Sequence, residues 1–219
     1  MGILEERAGL AGRVAVVPGG AGGLGEAISL DLAACGVRVA ALDRNAESVE
    51  RLRAAFAERG GDALVQTGDA RDPDALAALF AAADDRWGRL DVLVNVVGGT
   101  FRAPFTETSP KAWDALLRTN LVWVLHACLL AIPRMRAGGR GGSIVNLTTI
   151  EAHRAAPGFA VYAAAKSGLA AFARTLAVEL APERIRVNNV APDITPTPGM
   201  TAMDPSLVEG DDGPGARVA

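Results

Sequence analysis

Residues 13–25 read RVAVVPGGAGGLG, an apolar run that leads directly into a glycine-rich turn. The apolar part, Arg13–Val17, predicts a buried β-strand, and a helical pattern begins at Gly23. Glycines in such a turn let the backbone bend tightly and approach a phosphate, while the N–H groups at the helix N-terminus attract the anion. The stretch predicts a strand–turn–helix unit with a phosphate site, the alternative being a plain flexible loop.

Outward from this stretch, short apolar runs alternate with longer Ala-rich segments of helical period as far as residue 191, a pattern typical of βαβ units. Continuously apolar strands are typical of a parallel sheet covered on both faces. We therefore predict an α/β fold, a Rossmann-type doubly wound parallel sheet with about six strands. The predicted strands are Arg13–Val17, Val37–Leu42, Ala63–Thr67, Leu90–Asn95, Gly142–Leu147 and Arg186–Val190, and the predicted helices are Gly23–Cys35, Ala46–Arg59, Pro73–Trp87, Pro110–Met135 and Phe159–Leu180.

The length and composition favour one domain over residues 1–219, because 219 residues of which 50% are apolar suffice for one sizeable core. No linker or internal repeat divides the chain. After Val190 the pattern changes, since Pro192, Pro196, Pro198 and Gly199 interrupt regular structure. An irregular tail is expected over about residues 199–219.

Charge and composition exclude several classes of protein. A net charge of -3 offers no basic excess for nucleic acid. The first ten residues contain no apolar targeting segment, and the most apolar run, Leu121–Ile132, is too short to span a bilayer. Cys35 and Cys128 are far apart, and no His, Cys and carboxylate cluster has metal-ligand spacing. We expect a cytoplasmic protein with reduced thiols, no membrane or nucleic-acid partner and no metal.

An acidic residue, Asp43, ends the second predicted strand about twenty residues beyond the glycine turn. A carboxylate there accepts hydrogen bonds from an adenosine ribose and repels a 2′-phosphate, which favours NAD over NADP. The neighbouring Arg44 keeps NADP possible, because its guanidinium can pair with that phosphate. Alternatively, Asp43 caps the next helix, a role that Asn45 can also fill.

The only tyrosine of the chain, Tyr162, precedes Lys166 by one helical turn, so both side chains lie on one helix face. A phenol of ordinary pKa stays protonated at neutral pH and so cannot take a proton from a substrate. A nearby ammonium stabilises the phenolate and lowers the pKa of the phenol. The pair predicts a tyrosine that exchanges a proton with a substrate oxygen. A surface lysine beside a half-buried tyrosine is the purely structural alternative.

With these three features in this order, the chain resembles the short-chain dehydrogenase/reductase family over nearly its whole length. Gly19, Gly23 and Gly25 match the glycines of that family's turn, with Leu24 between them, while Pro18 replaces a threonine. The resemblance further implies cofactor contacts from Asp69 and the adjacent Ala70, and from Asn95 and Gly98 after the fourth strand. It also implies nicotinamide contacts from Pro192, Ile194, Thr195 and Thr197, in a segment where Asp193 replaces the family's glycine.

The resemblance completes a catalytic group of Tyr162, Lys166, Thr149 and Asn120. Thr149 stands thirteen residues before Tyr162, at the position of the family's serine, and its hydroxyl can bond the same substrate oxygen. Asn120 matches the asparagine that holds a water in a proton relay to the lysine. The Thr149 methyl stiffens the rotamer and narrows the pocket, which puts rate and substrate range in question more than reaction type.

The resemblance implies a NAD(P)-dependent oxidoreductase that moves a hydride between the nicotinamide and a small-molecule secondary alcohol or ketone, as a homodimer or homotetramer. Family members usually continue for several tens of residues with a seventh strand, so we expect either a fragment or a natural short form lacking that strand. Two alternatives stay open. One is a truncated or catalytically weak dinucleotide-binding protein with a regulatory role, and the other is an unrelated Rossmann-type transferase, which has no use for the Tyr162 and Lys166 pair.

Overall fold

A computed structural model of the chain describes residues 9–197. Six parallel strands form one sheet in the order β3-β2-β1-β4-β5-β6, which is the doubly wound Rossmann-type arrangement predicted from the sequence. The strands are β1 (Val14–Pro18), β2 (Arg38–Asp43), β3 (Ala63–Thr67), β4 (Val92–Asn95), β5 (Gly142–Leu147) and β6 (Ile185–Val190). Each begins and ends within two residues of its predicted position. The predicted tail, residues 199–219, lies outside the described residues.

Helices cover both faces of the sheet, as its continuously apolar strands require. They are α1 (Gly23–Ala34), α2 (Ala46–Glu58), α3 (Pro73–Trp87), α4 (Pro110–Leu117), α5 (Trp123–Gly138) and α6 (Ala160–Leu180). One core cluster joins α3, α5 and α6 to the sheet, with Phe80, Trp123 and Leu169 buried in it. A second cluster joins α1 and α2 to the opposite face around Leu52 and Phe56.

Side-chain caps fix where several helices begin. The carboxylate of Asp72 accepts the Asp74 N–H at the start of α3, and the Ser109 hydroxyl accepts the Ala112 N–H at the start of α4. Pro73 and Pro110 occupy the first turns of these helices, where their missing N–H has no helical partner. Asn45 caps α2 by accepting the Ser48 N–H. The polar residues before each helix therefore set the predicted boundaries.

The segment predicted as one helix, Pro110–Met135, differs from that prediction in its middle. A π-helical turn, Arg118–Val122, separates α4 from α5, and α5 continues to Gly138. The wider turn inserts one residue into the helical register, and it brings the Asn120 side chain to a fully buried position at the site edge of the sheet. The register shift is thus tied to the placement of one polar side chain.

The combined helix Pro110–Gly138 has 29 residues, and a stretch of 18 residues within it has a mean hydropathy of 1.7, so by length and composition it passes the test for a membrane span. It is longer than the run Leu121–Ile132, which taken alone is too short to span a bilayer. Its inner face, which includes Trp123, Ala127 and Ala131, is buried against the sheet. Core helices of globular proteins pass the same test, so one such helix is weak evidence for a membrane span.

Candidate active site

The glycine turn connects β1 to α1 at the carboxyl edge of the sheet. Gly19 has φ +83°, and a Cβ on Gly25 would meet the Gly19 carbonyl oxygen at 1.9 Å, so neither position accepts a larger residue without movement. The Gly19 N–H donates to the Leu42 carbonyl at 2.7 Å, which ties the turn to β2. Leu24 packs into the core beneath α1, while Gly23 is exposed. The turn presents a bare backbone at the helix N-terminus.

Asp43 ends β2 beside this turn, with its carboxylate 3.2 Å from the point where a Cβ on Gly22 would lie. It accepts the Asn45 N–H at 3.1 Å, and it is Asn45 that caps α2. The role of helix cap therefore belongs to Asn45, and one carboxylate oxygen of Asp43 stays near the turn. Arg44 is exposed next to it.

Asp69 lies after β3 and is paired with Arg71, a residue that the sequence did not single out. The Arg71 N–H donates to Asp69 at 2.9 Å, and its guanidinium bonds both carboxylate oxygens. The hydrogen bonds from Arg71 hold the pKa of Asp69 below its usual value. Ala70 is buried in the core next to them. The acidic residue at this corner is thus ionised and fixed in orientation.

Asn95 and Gly98 follow β4 but occupy different environments. Asn95 is buried within the sheet and donates to Asn146 of β5 at 2.8 Å, and Asn146 donates to Asn189 of β6 at 3.2 Å. This ladder links three neighbouring strands. Gly98 is exposed at the site, where a Cβ would lie 3.1 Å from Oδ1 of Asn120 and 3.2 Å from Nζ of Lys166. Among these residues, Gly98 meets the predicted catalytic group, whereas Asn95 braces the sheet below it.

The Asn120 amide is held by the loop that contains Gly98. It donates to the carbonyls of Gly99 and Leu116 at 2.7 and 2.9 Å and accepts the Gly99 N–H at 3.1 Å. Both amide protons are therefore used within the protein. Asn120 fixes the loop after β4 against the helix.

Lys166 is 3% exposed and lies one turn after Tyr162 on α6. Its ammonium donates to the Leu147 carbonyl at the end of β5 at 2.8 Å. Burial lowers the pKa of Lys166 to about 8, because the charged form loses hydration. The lysine is therefore positioned by the sheet as well as by its own helix.

The pKa of Tyr162 lies above its usual value, opposite to the direction expected from Lys166 alone. Burial raises it most, and the negative charge of Glu151 adds to this, while a hydrogen bond with Thr149 acts in the other direction. Thr149 is buried at the end of β5 and joins the two residues, since its hydroxyl also contacts the Glu151 carboxylate. Tyr162 and Thr149 thus meet as the sequence predicted, with a carboxylate that it did not predict.

The segment after β6 closes the site from the side of α1. The Pro192 carbonyl accepts the Ile150 N–H at 3.2 Å, and the Thr195 hydroxyl donates to the Asp193 carbonyl at 3.0 Å. Ile194 is 40% exposed. The Thr197 side chain lies over the glycine turn, where a Cβ on Gly23 would come within 2.9 Å of it. This segment therefore spans the distance between the catalytic loops and the turn.

An apolar wall borders Tyr162, made by the loop after β4 and the start of α6. The Phe159 ring packs edge-on against Tyr162 with the ring centroids 6.4 Å apart. Phe101, Phe105 and Leu116 line the same pocket.

The chain matches the family model described as short chain dehydrogenase over residues 13–207. It is 38% identical over 191 residues to a D-threitol dehydrogenase of Mycolicibacterium smegmatis, a match that covers 86% of this chain and 72% of the relative. It is 34% identical over 189 residues to a 3-oxoacyl-[acyl-carrier-protein] reductase of Thermotoga maritima, covering 86% and 76%.

Solved structures give the same result. A carveol dehydrogenase from Mycobacterium avium in complex with NAD has a TM-score of 0.80 at 31% identity, covering 83% of this chain and 70% of that one. A variant of an actinorhodin polyketide ketoreductase with NADPH has a TM-score of 0.84 at 30% identity, covering 90% and 76%. The fold agrees with that of these structures. The chain belongs to the short-chain dehydrogenase/reductase family of oxidoreductases.

Proposed function

We propose that this oxidoreductase uses NAD to oxidise a secondary alcohol to a ketone, and catalyses the reverse reduction. The convergence of Tyr162, Thr149 and Lys166 beside Gly98 at the carboxyl edge of the sheet carries the proposal. In a doubly wound sheet this edge is where dinucleotides bind. A bound nicotinamide supplies hydride acceptance and donation.

The residues at the turn fit a dinucleotide. The bare backbone of Gly19, Gly23 and Gly25 at the N-terminus of α1 suits a pyrophosphate, with Leu24 anchoring the helix. The Asp43 carboxylate beside Gly22 suits a ribose with free hydroxyls and opposes a 2′-phosphate, which supports NAD. Arg44 is the residue through which NADP would be accepted. We assign Asp69 and Ala70 to the adenine, and Pro192, Ile194, Thr195 and Thr197 to the nicotinamide.

The chain's own residues then handle the proton. Tyr162 takes the proton of the substrate hydroxyl, and Thr149 orients the substrate oxygen. Lys166, held at the Leu147 carbonyl, binds the nicotinamide ribose and favours the phenolate form of Tyr162 by its charge. Asn120, with its amide occupied by Gly99 and Leu116, passes the proton on through a water at its free lone pair or at the backbone of the π-helical turn.

The test compares wild type with Tyr162→Phe, which keeps the ring against Phe159 and removes only the hydroxyl. NAD and NADP titrations come first, followed by NADH formation over a panel of secondary alcohols. We expect wild-type turnover that Tyr162→Phe loses by at least about a hundredfold while it still binds cofactor. Cofactor binding without wild-type turnover would favour the catalytically weak dinucleotide-binding protein. If wild type binds neither NAD nor NADP, the assignment of the glycine turn to a dinucleotide is contradicted.

A homodimer or homotetramer is part of the proposal, supported by apolar side chains on the outer faces of α5 and α6. Leu129 and Val178 are 73% and 77% exposed, and Leu125 lies one turn before Leu129. Exposed apolar groups on neighbouring helices are typical of an interface. Light scattering should give a multiple of the 22.5 kDa chain mass, and Leu129→Glu should reduce it. A wild-type monomer at micromolar concentration would refute the assembly.

A cytoplasmic location also belongs to the proposal. It is supported by the burial of the inner face of helix Pro110–Gly138 against the sheet. Fractionation of expressing cells should recover the chain without detergent, and recovery only in the membrane fraction would contradict it.

A further inference from the structure

Glu151 places a carboxylate next to the hydroxyl that orients the substrate. It lies in the 3-10 helical turn Ile150–Ala152, two residues after Thr149. The Thr149 hydroxyl donates to Oε2 of Glu151, and the Arg154 guanidinium donates to Oε1 at 3.2 Å. The Glu151 side chain is 21% exposed. Both oxygens are therefore fixed by the protein, and part of the group still faces open space.

The contacts of Arg154 hold this carboxylate from a second loop. The same guanidinium donates to Asp193 at 3.3 Å, and Asp193 follows β6 at the position where the family has glycine. Burial opposes ionisation of Glu151, but hydrogen bonds from Thr149, its own N–H and Arg154 hold its pKa below the usual value. The carboxylate is consequently an acceptor of hydrogen bonds at neutral pH.

The contact leaves the Glu151 carboxylate with further acceptor capacity. A hydroxyl has one proton and two lone pairs, and Thr149 gives its proton to Glu151. Each carboxylate oxygen of Glu151 keeps a further lone pair, so a second hydroxyl near the reacting carbon has an acceptor within the same group.

Tyr162 also lines an apolar pocket. Phe101, Phe105 and Phe159 line the pocket there, and Tyr162 is part of that lining. The Thr149 hydroxyl and the charge of Glu151 both act on the pKa of Tyr162, so both groups lie close to a residue that lines this pocket. A substrate that reacts at Tyr162 thus meets both a carboxylate and aromatic rings.

We propose that Glu151 is a specificity-determining residue, which accepts a hydrogen bond from a hydroxyl vicinal to the reacting carbinol and selects vicinal diols with an apolar body. This inference rests on the proposed function. A charged acceptor discriminates strongly between a substrate that donates to it and one that leaves it unpaired. The same charge repels a carboxylate in place of the second hydroxyl.

The experiment uses matched pairs of substrates with NAD or NADP, whichever binds: cyclohexanol with 1,2-cyclohexanediol, 2-butanol with 2,3-butanediol, and 1-phenylethanol with 1-phenyl-1,2-ethanediol. The readout is the ratio of kcat/KM for the diol to that for the mono-alcohol in each variant, because a general loss of activity cancels in this ratio. We expect a wild-type ratio of about ten or more in at least one pair. Glu151→Ala should bring it near one, and Glu151→Gln, which keeps the shape but only a neutral acceptor, should give an intermediate value.

Glu58→Gln, at the end of α2 and far along the chain from the site, serves as the control for loss of one negative charge and should keep the wild-type ratio. Turnover of mono-alcohols with a wild-type ratio near one in every pair, or a ratio that survives Glu151→Ala, would overturn the role of Glu151 and leave the proposed function standing. Absence of turnover on every alcohol, and on the corresponding ketones with reduced cofactor, would overturn both.

Discussion

The carbonyl oxygen of Gly19 lies 1.9 Å from the point where a side chain on Gly25 would place its Cβ. The glycine turn and the first turn of α1 are therefore in direct backbone contact. This contact holds the N-terminus of α1, with its unpaired N–H groups, against the turn that leaves β1. The anion-binding geometry depends on Gly25 as much as on the glycines that bend the chain.

Gly25→Ala tests this contact. Because the added methyl overlaps backbone rather than a movable side chain, α1 must shift away from the turn. We expect NAD affinity to fall by at least about tenfold and the melting temperature to drop, measured by cofactor titration and thermal unfolding. Gly138→Ala is the control, since a Cβ there meets nothing within 4 Å and alanine favours the helix. Wild-type affinity in Gly25→Ala would disprove the role of this contact.

The sheet could be predicted from the sequence because its signals are local. Each strand is a short apolar run, and each helix start carries a cap such as Asp72 or Ser109. The π-helical turn could not be predicted, since Arg118–Val122 contains neither glycine nor proline to mark a change of register. Its stabilising contact is between Asn120 and Gly99, residues on different elements, and it exists only in the folded protein.

The candidate site divides in the same way. Tyr162 and Lys166 were predicted from their spacing on one helix, and Thr149 from the resemblance to the family. The contact of Thr149 with Glu151 depends on side-chain rotamers, and the pairing of Arg154 with Asp193 joins residues 39 positions apart. Neither follows from periodicity. The direction of the Tyr162 pKa was missed for this reason, because burial and the charge of Glu151 come from the packed structure.

Asp43 should control the choice of cofactor. Its carboxylate lies at the glycine turn and its negative charge opposes a 2′-phosphate. Replacing it by alanine removes the repulsion and leaves Arg44 free to pair with that phosphate. We expect Asp43→Ala to raise the affinity for NADP relative to NAD by about tenfold or more, measured by titration of both cofactors.

The control for this change is Asp85→Asn, which removes one negative charge from an exposed position on α3. It should leave the ratio of the two affinities unchanged. If Asp43→Ala keeps the wild-type ratio, the ribose is recognised by another residue.

Burial of Lys166 should make stability depend on pH. Its pKa is about 8 in the folded protein against 10.5 for the free side chain, so below pH 8 folding carries the cost of a buried charge. That cost declines as pH rises from 8 toward 10.5. In this range the unfolded chain binds more protons than the folded protein, so stability rises with pH. Lys166→Met removes the charge at every pH. Between pH 7 and pH 9.5, the free energy of unfolding of wild type should therefore rise by about 2 kcal/mol relative to that of Lys166→Met.

Urea unfolding at several pH values measures this difference directly. Subtracting the unfolding free energy of the variant from that of wild type cancels the titration of all other groups. The control is Lys111→Met, a lysine at the start of α4 that the burial pattern leaves exposed. Its difference from wild type should not change with pH. A constant difference for Lys166→Met as well would mean that Lys166 keeps an ordinary pKa.

Asp91 should stabilise the end of the sheet opposite the site. Its side chain is 5% exposed and accepts bonds from Arg13 at 3.0 Å, from Arg89, and from the Val14 N–H at 2.9 Å. Burial alone would raise the pKa of Asp91, but these donors hold it below 3.8. Asp91→Asn keeps the shape and leaves two guanidinium groups without their anion, so the free energy of unfolding should fall by about 3 kcal/mol at pH 7.

The pH dependence separates this charge effect from a packing defect. Because the folded pKa of Asp91 is depressed, its contribution is complete above about pH 5 and is lost as pH falls through 3.8 toward the folded value. The gap between wild type and Asp91→Asn in urea unfolding should therefore narrow in acid, while Asp85→Asn shows little change at any pH. A gap that stays constant from pH 7 to pH 3 would assign the loss to packing, since a lost packing contact does not titrate.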